Sequence, residues 1–519
     1  MSDPVILDRV TLNFTDLTGA KTGCVKKGSN KFWIGWVQKN ADGTVDYCCQ
    51  WGSVGTSGST NGSKANIGEA SARKMLDSKA ASKRKKGYTE LDTRSKDEEI
   101  AKAAAQGIDL TTGKAVTPTA APAIVSGRKF HKDVVDLLGI IYNSTARAVS
   151  SGLSSQAGAT EDNPIGNLSD AQLDKGGSIL DDIGRLIEAK FGHETPTNQA
   201  QTLPLASSGM PSPAILDLTN DYYSNVPRPI GMDQRGRNNL HRLVVSSYER
   251  LQREREFMQL LRDAHMAKAT FAAAAAQSRT TGGKETVWYD GLGCEIEALS
   301  PSDAGFKRAK EVFDNGQSRK NANWFSGGRS RCHVVRVWKF SRNGSTDRFD
   351  RYSADIKKRR GSLGNILAWH GTRTANLLGI GKSGLLMPEN LPKGVHISGK
   401  AFGRGIYHAP VTTNLPEIQG VKTDGTNGAL KSMNYTGHSA AYYGGSSNQN
   451  VFMFLQELAL GVGEIRTTPC WDKRRPDGFP QKDFIYAAAG GCSTLSHDEA
   501  VTFDQDAQVF RYLLEIGVR

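Results

Sequence analysis

The chain lacks any apolar run approaching the ~20 residues that a membrane-crossing helix requires. Its start, Met1-Ser2-Asp3-Pro4-Val5, has no basic segment followed by an apolar one. Both absences point away from export and from a membrane partner, and an intracellular protein is expected. Cysteine is sparse: Cys24, Cys48, Cys49, Cys294, Cys332, Cys470 and Cys492 include no Cys-x-x-Cys and no paired Cys/His spacing. This argues against a disulfide framework and a metal site, and leaves ordinary thiols. Two nucleotide-binding loops also fail on inspection. Gly381-Lys382-Ser383 ends like a phosphate-binding loop, but the glycine needed five positions earlier is Asn376. Gly403-Arg404-Gly405 lacks the third glycine and the following helix of a dinucleotide fingerprint, because Ile406-Tyr407-His408 comes next.

What remains is a polypeptide of 519 residues, 38% hydrophobic, enough for about three domains of usual size. The net charge of +13 favours a polyanionic partner. The surplus is concentrated at the front, where residues 1–97 hold 16 Lys and Arg against 10 Asp and Glu. That segment reads as β-rich. Strand patterns at Lys31 to Lys39 and Thr44 to Gln50 flank the turn signal Ala41-Asp42-Gly43, and Trp51-Gly52-Ser53-Val54-Gly55 follows directly.

Residues 98–127 shift to Ala, Thr, Gly and Pro without periodicity, as in a linker. Residues 128–283 are helical in pattern. Val134, Val135, Leu138, Ile141 and Tyr142 recur on one face, and Ser169-Asp170-Ala171-Gln172 is a capping box ahead of Leu173, Ile179, Leu180, Ile183 and Ile187. A third helix is expected from Leu240 to Ala276, carrying Val245, Tyr248, Leu251, Met258 and Leu261. Residues 284–519 carry strand-like runs at Val334 to Phe340, Val451 to Leu460 and Phe510 to Val518, suited to a compact sheet domain. The expected fold class is α+β and multidomain.

The chemistry concentrates in this last segment, in Trp369-His370-Gly371-Thr372-Arg373, Gly403-Arg404-Gly405-Ile406-Tyr407, His438-Ser439-Ala440-Ala441-Tyr442 and Glu499. Gly371 has no side chain, so its N–H and C=O can offer a donor and an acceptor at close range, the complement of a carboxamide. His370 can bond a ribose hydroxyl, Ser439 can add a bond to the amide, and Tyr407 and Tyr442 present flat faces for stacking a nicotinamide ring. Breaking the bond between ribose and nicotinamide passes through an oxocarbenium-like state, which the carboxylate of Glu499 can stabilise while polarising an attacking hydroxyl. No metal is required, since the leaving group is a cationic pyridinium that departs neutral.

This ordered set resembles the His-Tyr-Glu signature of the poly(ADP-ribose) polymerase family. The resemblance implies a small WGR module over 1–97, an all-α regulatory domain over 128–283 and an ADP-ribosyltransferase catalytic domain over 284–519. It implies NAD as substrate, bound by His370, Gly371, Thr372, Arg373, Asn376, Gly379, Tyr407, Ser439 and Tyr442, with Glu499, His370 and Tyr407 catalytic. DNA ends or nicks would meet Trp51 and the basic run Lys83-Arg84-Lys85-Lys86, protein acceptors would include the chain itself, and the compartment would be the nucleus in a eukaryote or the cytoplasm otherwise. The zinc fingers of some members are absent. Four departures stand out. Ser53 replaces the arginine of the WGR name and removes a forked phosphate donor. Leu386 stands where a donor-loop arginine is usual, leaving that contact to Arg373 or Arg404. A Gly/Thr/Asn-rich insertion, Val411 to Gly437, is expected to hang over the acceptor groove, and His438 replaces a lysine.

The expected activity is a DNA-break-stimulated poly(ADP-ribose) polymerase, since a glutamate at the third position suits chain extension. The alternatives are a mono-ADP-ribosyltransferase of the same architecture, a DNA-end-binding scaffold with a decayed catalytic domain, and an NAD hydrolase in which water attacks.

Overall fold

A computed structural model describes residues 4–17, 29–93, 129–154, 168–194, 198–204, 212–228, 243–277, 284–316, 332–359, 361–395, 401–411, 433, 436–437, 440, 450–466, 469, 483–488 and 497–518. The chain divides into two compact units. One holds residues 1–99, 148–265 and 392–396; the other holds 100–147, 266–391 and 397–519.

In the first unit, strands β1 (Val5–Asp16), β2 (Ser29–Lys39), β3 (Val45–Ser53) and β4 (Thr89–Glu90) form a sheet in the order β3-β2-β1-β4. The β2–β3 hairpin turns at Ala41-Asp42-Gly43. Gly43 adopts φ 83°, which only glycine takes without strain, and the Asp42 carboxylate accepts from the Thr44 N–H at 2.9 Å. Successive residues of β2 serve opposite faces of the sheet. Trp33 joins Leu12, Val37 and Tyr47 against helix α1 (Glu69–Lys85), whose Ala72, Leu76 and Ala80 form one buried stripe. Phe32 and Ile34 join a second core built by helices α3 (Asp170–Phe191), α4 (Pro213–Asn225) and the start of α5 (Tyr248–Gln277). Burial on both faces explains the nearly continuous apolar run of β2.

The sheet is bound to these helices through buried polar groups. The Asn13 side-chain amide donates to the Tyr223 carbonyl at 3.0 Å, the Leu17 N–H to the Asn220 side chain at 2.8 Å, and the Thr15 N–H to the Ser224 hydroxyl at 3.1 Å. Ser169 caps α3 by accepting from the Gln172 N–H at 3.0 Å. The Gln172 side chain, free to close a capping box, instead donates to Asn225 and accepts from the Asp92 N–H, tying helix to sheet. α5 begins at Tyr248 rather than near Leu240, which lies outside the described residues.

The second unit carries a nine-stranded sheet in the order β10-β11-β12-β8-β7-β9-β13-β6-β5. Its strands are β5 (Cys294–Leu299), β6 (Cys332–Arg342), β7 (Gly364–Gly371), β8 (Ile406–Pro410), β9 (Val451–Leu460), β10 (Gly463–Arg466), β11 (Phe484–Ala487), β12 (Glu499–Thr502) and β13 (Gln508–Val518). Every pair is antiparallel except β10 with β11. Helices α6 (Lys284–Leu292), α7 (Ala304–Asn315), α8 (Ser345–Lys357) and α9 (Leu377–Ser383) complete it.

Helix α2 (Lys132–Ser154) is the surprise of the partition, because its first part belongs to this second unit, where it packs on α6 and the sheet. Val134, Leu137, Leu138, Ile141 and Tyr142 share a core with Trp288 and Trp338. The Tyr142 hydroxyl donates to the Trp288 carbonyl at 2.8 Å, and Arg336 reaches Asp136 at 3.1 Å and Glu515 at 2.5 Å. Helical periodicity identifies the buried stripe of α2; it carries no information on which partner covers the stripe.

Glu254 is one of the first unit's buried charges. It is 4% exposed and accepts from the hydroxyls of Tyr222 at 3.2 Å and Tyr223 at 3.1 Å and from the Arg228 guanidinium. Glu254→Gln removes the charge and turns one acceptor into a donor facing those hydroxyls. Thermal unfolding should report a loss of about 1–3 kcal/mol; an unchanged midpoint would show that the cluster contributes nothing to stability.

Candidate active site

Strand β8 sits between β7 and β12, and this pairing gathers residues that are far apart in sequence. Trp369 pairs with Ala409, Val501 pairs with Tyr407, and Ala500 pairs with His408. His370 and Gly371 are the last residues of β7, Tyr407 is the second residue of β8, and Glu499 is the first of β12. Because facing residues share a side of the sheet and side chains alternate along a strand, Tyr407, Val501 and Glu499 lie on one face.

His370 is partly enclosed, and its ring bonds the backbone of Tyr407. Loss of hydration pulls its imidazole down to about 4, which outweighs that bond, so the ring is neutral near pH 7. Tyr407 is held by its hydroxyl, which accepts from the Phe402 N–H at 2.9 Å and donates to the Gly403 carbonyl at 2.9 Å. Gly403 has φ 98°, so the Gly-rich turn is closed by the tyrosine it precedes.

Gly371 is the tightest position of the site. A Cβ there would lie 2.0 Å from the Thr436 carbonyl oxygen, so only glycine fits. Its N–H, expected to face a ligand, donates to the Thr436 hydroxyl at 3.0 Å. Thr436 belongs to the segment expected to hang over an acceptor groove. Of that segment's described residues, Met433 is buried against the α7 side of the core and Thr436 covers the Gly371 amide. Thr372 is 9% exposed and accepts from the Asn376 side-chain amide at 3.0 Å, which brings those two predicted residues together on the turn after β7. Gly379 lies in α9, and Arg373 and Leu386 are partly exposed, whereas Arg404 is exposed. Ser439, Tyr442 and His438 lie outside the described residues.

Two histidines went unnoticed in the sequence. His408 is 3% exposed and bonds the Thr502 hydroxyl at 2.9 Å and the Gln456 side chain at 2.6 Å. His497 lies 3.1 Å from Glu499, Nε2 to Oε1. Strand alternation was the available signal for His497: positions 497 and 499 share a side, while Asp498 turns the other way to accept from the Tyr486 hydroxyl at 2.8 Å. A cavity of about 590 Å³ in the same unit is bounded by α2, α6 and the sheet, with Asn143, Trp288, Arg336 and Thr374 among its walls. Neither His370, Tyr407 nor Glu499 lines it. The buried thiols are chemically quiet, burial pushing Cys294 up to about 12 and Cys332 up to about 11.

In the first unit, Trp51 is 43% exposed and donates from its indole to the Asn61 carbonyl at 3.0 Å. Lys83, Arg84 and Lys85 occupy the last turn of α1, followed by Lys86, where positive charge also offsets the helix dipole. Arg84 is paired with Glu90 at 2.6 Å. Lys83 lies over the Tyr88 ring, and its ammonium is pulled below the usual lysine range first by burial, then by Lys86 and Lys31. Lys31 pairs with Ser53 at the end of the hairpin that bears Trp51, so it extends the basic patch in a way the local run does not reveal.

Three family descriptions match the chain in order: "WGR domain" over residues 9–95, "Poly(ADP-ribose) polymerase, regulatory domain" over 128–284 and "Poly(ADP-ribose) polymerase catalytic domain" over 319–483. Among curated relatives, the protein mono-ADP-ribosyltransferase PARP3 of Mus musculus is 23% identical over 390 residues, 68% of this chain and 59% of that protein. Poly [ADP-ribose] polymerase 2-B of Oryza sativa subsp. japonica is 24% identical over 47% of this chain and 34% of its own length. Poly [ADP-ribose] polymerase 1 of Gallus gallus is 24% identical over 48% and 20%. The chain thus spans from a fifth to under two thirds of these relatives. A WGR module, a helical regulatory region and a sheet-containing catalytic domain in this order define a multidomain α+β transferase architecture. The chain belongs to the poly(ADP-ribose) polymerase family.

The histidine pair yields a pH signature. Burial, assisted by His370, depresses the His408 imidazole to about 3, whereas an unfolded histidine titrates near ~6.5. The folded state refuses a proton that the unfolded chain accepts, so the associated stability is complete above about pH 6.5 and declines as pH falls, by ~1.4 kcal/mol per unit for each such group. Denaturant unfolding of His408→Phe should show a shallower loss than the parent between pH 6 and 4; equal slopes would contradict the assignment.

Proposed function

We propose that the chain is an NAD-dependent protein ADP-ribosyltransferase, stimulated by DNA breaks and extending ADP-ribose into chains. The observation that carries the reading is the pairing of β8 with both β7 and β12, which brings His370, Tyr407 and Glu499 onto adjoining strands. The proposed working regions are 1–97 for DNA, 128–283 for regulation and 284–519 for chemistry, joined by 98–127.

Gly371 fits a carboxamide: its amide is approached from the front without any side chain, and the Thr436 hydroxyl already stands in for a hydrogen-bond acceptor there. NAD, as substrate, would be held by Gly371 and by Ser439 and Tyr442, with Thr372, Arg373, Asn376 and Gly379 along the following turn. A neutral His370 can accept from a ribose hydroxyl, consistent with its lowered proton affinity. Glu499 stabilises positive charge at the ribose carbon as the bond to nicotinamide breaks. The pair of electrons leaves with nicotinamide, an acceptor oxygen bonds to the same carbon, and its proton is lost through the carboxylate. Electrostatic stabilisation of this kind needs no metal on the protein's side.

DNA ends or nicks are the proposed activator, recognised by Trp51 and by the cluster of Lys31, Lys83, Lys85 and Lys86, with Arg84 already engaged by Glu90. Protein acceptors, the chain included, and a nuclear location in a eukaryote belong to the same reading. Among the described residues no helix is long and apolar enough to cross a membrane. A mono-ADP-ribosyltransferase is the second reading, supported by the match to the mouse protein of that name.

Incubation of the full chain with labelled NAD, with and without broken DNA, tests both by the size of labelled products. Ladders that lengthen with DNA support the polymerase reading, and single additions support the second. Glu499→Gln keeps shape and removes charge, so labelling should fall by at least ~100-fold while NAD binding persists. Undiminished labelling by that variant would remove Glu499 from the reaction.

A further inference from the structure

The Glu499 carboxylate does not stand alone at the start of β12. Its Oε1 lies 3.1 Å from His497 Nε2, and both side chains are largely enclosed, at 10% exposure for His497 and 19% for Glu499. We infer that His497 is the positioning residue of the catalytic carboxylate, donating its Nε2–H to Oε1 and thereby turning Oε2 toward the reacting ribose and acceptor. This rests on the transferase reading of Glu499.

The geometry has a local cause. Residues 497 and 499 alternate to one side of the chain as it enters β12, and Asp498 is anchored on the other side by the buried Tyr486 hydroxyl. Glu499 is fixed behind by pairing with Ala487 of β11. The backbone is therefore held from two directions, and the carboxylate's remaining freedom is rotation about its own side-chain bonds. A long acidic side chain has several rotamers of similar energy, and only some of them aim an oxygen at a given atom. One directed N–H bond to a charged oxygen is strong enough to select among them. The imidazole is suited to this task because it is short and planar and is buried where water cannot substitute for it. It touches the carboxylate and not the reacting atoms, so it acts through Glu499.

The contact separates positioning from binding. Ground-state contacts to NAD involve Gly371 and the residues around it, whereas the charge of Glu499 is needed most when positive charge develops on the ribose. Loss of the N–H should therefore lower kcat and leave KM nearly unchanged. Replacement by another side chain that places an N–H near Nε2 should restore turnover.

The test uses the full chain with NAD as the probe, in three forms: parent, His497→Phe and His497→Gln. Nicotinamide release gives kcat and KM, and thermal unfolding with binding of benzamide, a nicotinamide mimic, verifies that each variant is folded with its pocket intact. The expected result is a fall in kcat of about tenfold or more for His497→Phe, at a KM within about twofold of the parent, with most of the loss recovered by His497→Gln. Equal kcat in parent and His497→Phe, or a fall not recovered by His497→Gln when both variants bind benzamide like the parent, would overturn the assignment. If His497→Phe does not fold, His497→Gln decides: near-parental kcat supports the donor role and a loss equal to that of Glu499→Gln refutes it. Absence of nicotinamide release by the parent would instead refute the transferase reading on which the inference rests.

Discussion

Strand β8 is the constraint on which the catalytic unit depends. Its backbone pairs with β7 at Ala409 and Pro410 and with β12 from Ile406 to His408, and neither neighbour is close to it in sequence. Backbone hydrogen bonding is obligatory for a buried strand, so the need to satisfy Ile406–Pro410 imposes a register with Trp369 opposite Ala409 and Val501 opposite Tyr407, and the strands that carry His370 and Glu499 flank the one that carries Tyr407. The side chains then reinforce the alignment. The Tyr407 hydroxyl closes its own turn, and His408 bridges Thr502 of β12 and Gln456 of β9 across the sheet.

Much of this was legible from residue patterns. The run Val451 to Leu460 forms β9 with those bounds, and Ser169 caps its helix as its spacing predicts. Local rules suffice for both, because strand burial and helix capping are properties of neighbours in sequence. The His-Gly, Tyr and Glu segments were recognisable as an ordered set, although their proximity is a product of strand pairing. Other features depend on contacts that no local pattern encodes. Thr436 meets Gly371 from 65 positions away, and Lys31 joins the basic cluster of α1 from a different strand. His497 required knowing that β12 begins at Glu499. The helical stripe of α2 was readable, but its burial beside Trp288 and Trp338 is decided by which apolar surface remains uncovered.

The partition of the helices gives physical content to regulation. The sheet bearing Trp51 shares buried hydrogen bonds with α4, and α4 is tied in turn to α3 through the Gln172 side chain and the Asn225 carbonyl. Residues 392–396 travel with the same unit although they lie between β7 and β8 in sequence, and Arg262 donates to the Lys393 carbonyl at 2.9 Å. Gly177 is required at that contact, where a Cβ would approach the Lys393 carbonyl oxygen to 2.2 Å. A ligand changes such an arrangement only by favouring one of two states.

The central claim is that the Gly371 amide is the recognition point for the carboxamide of NAD, with the Thr436 hydroxyl occupying it in the free protein. A crystal structure of the chain with benzamide addresses this directly. The account predicts the benzamide carbonyl oxygen within hydrogen-bond distance of the Gly371 N–H, with the Thr436 hydroxyl moved off that amide. Benzamide bound elsewhere, with the Gly371–Thr436 bond intact, would contradict it.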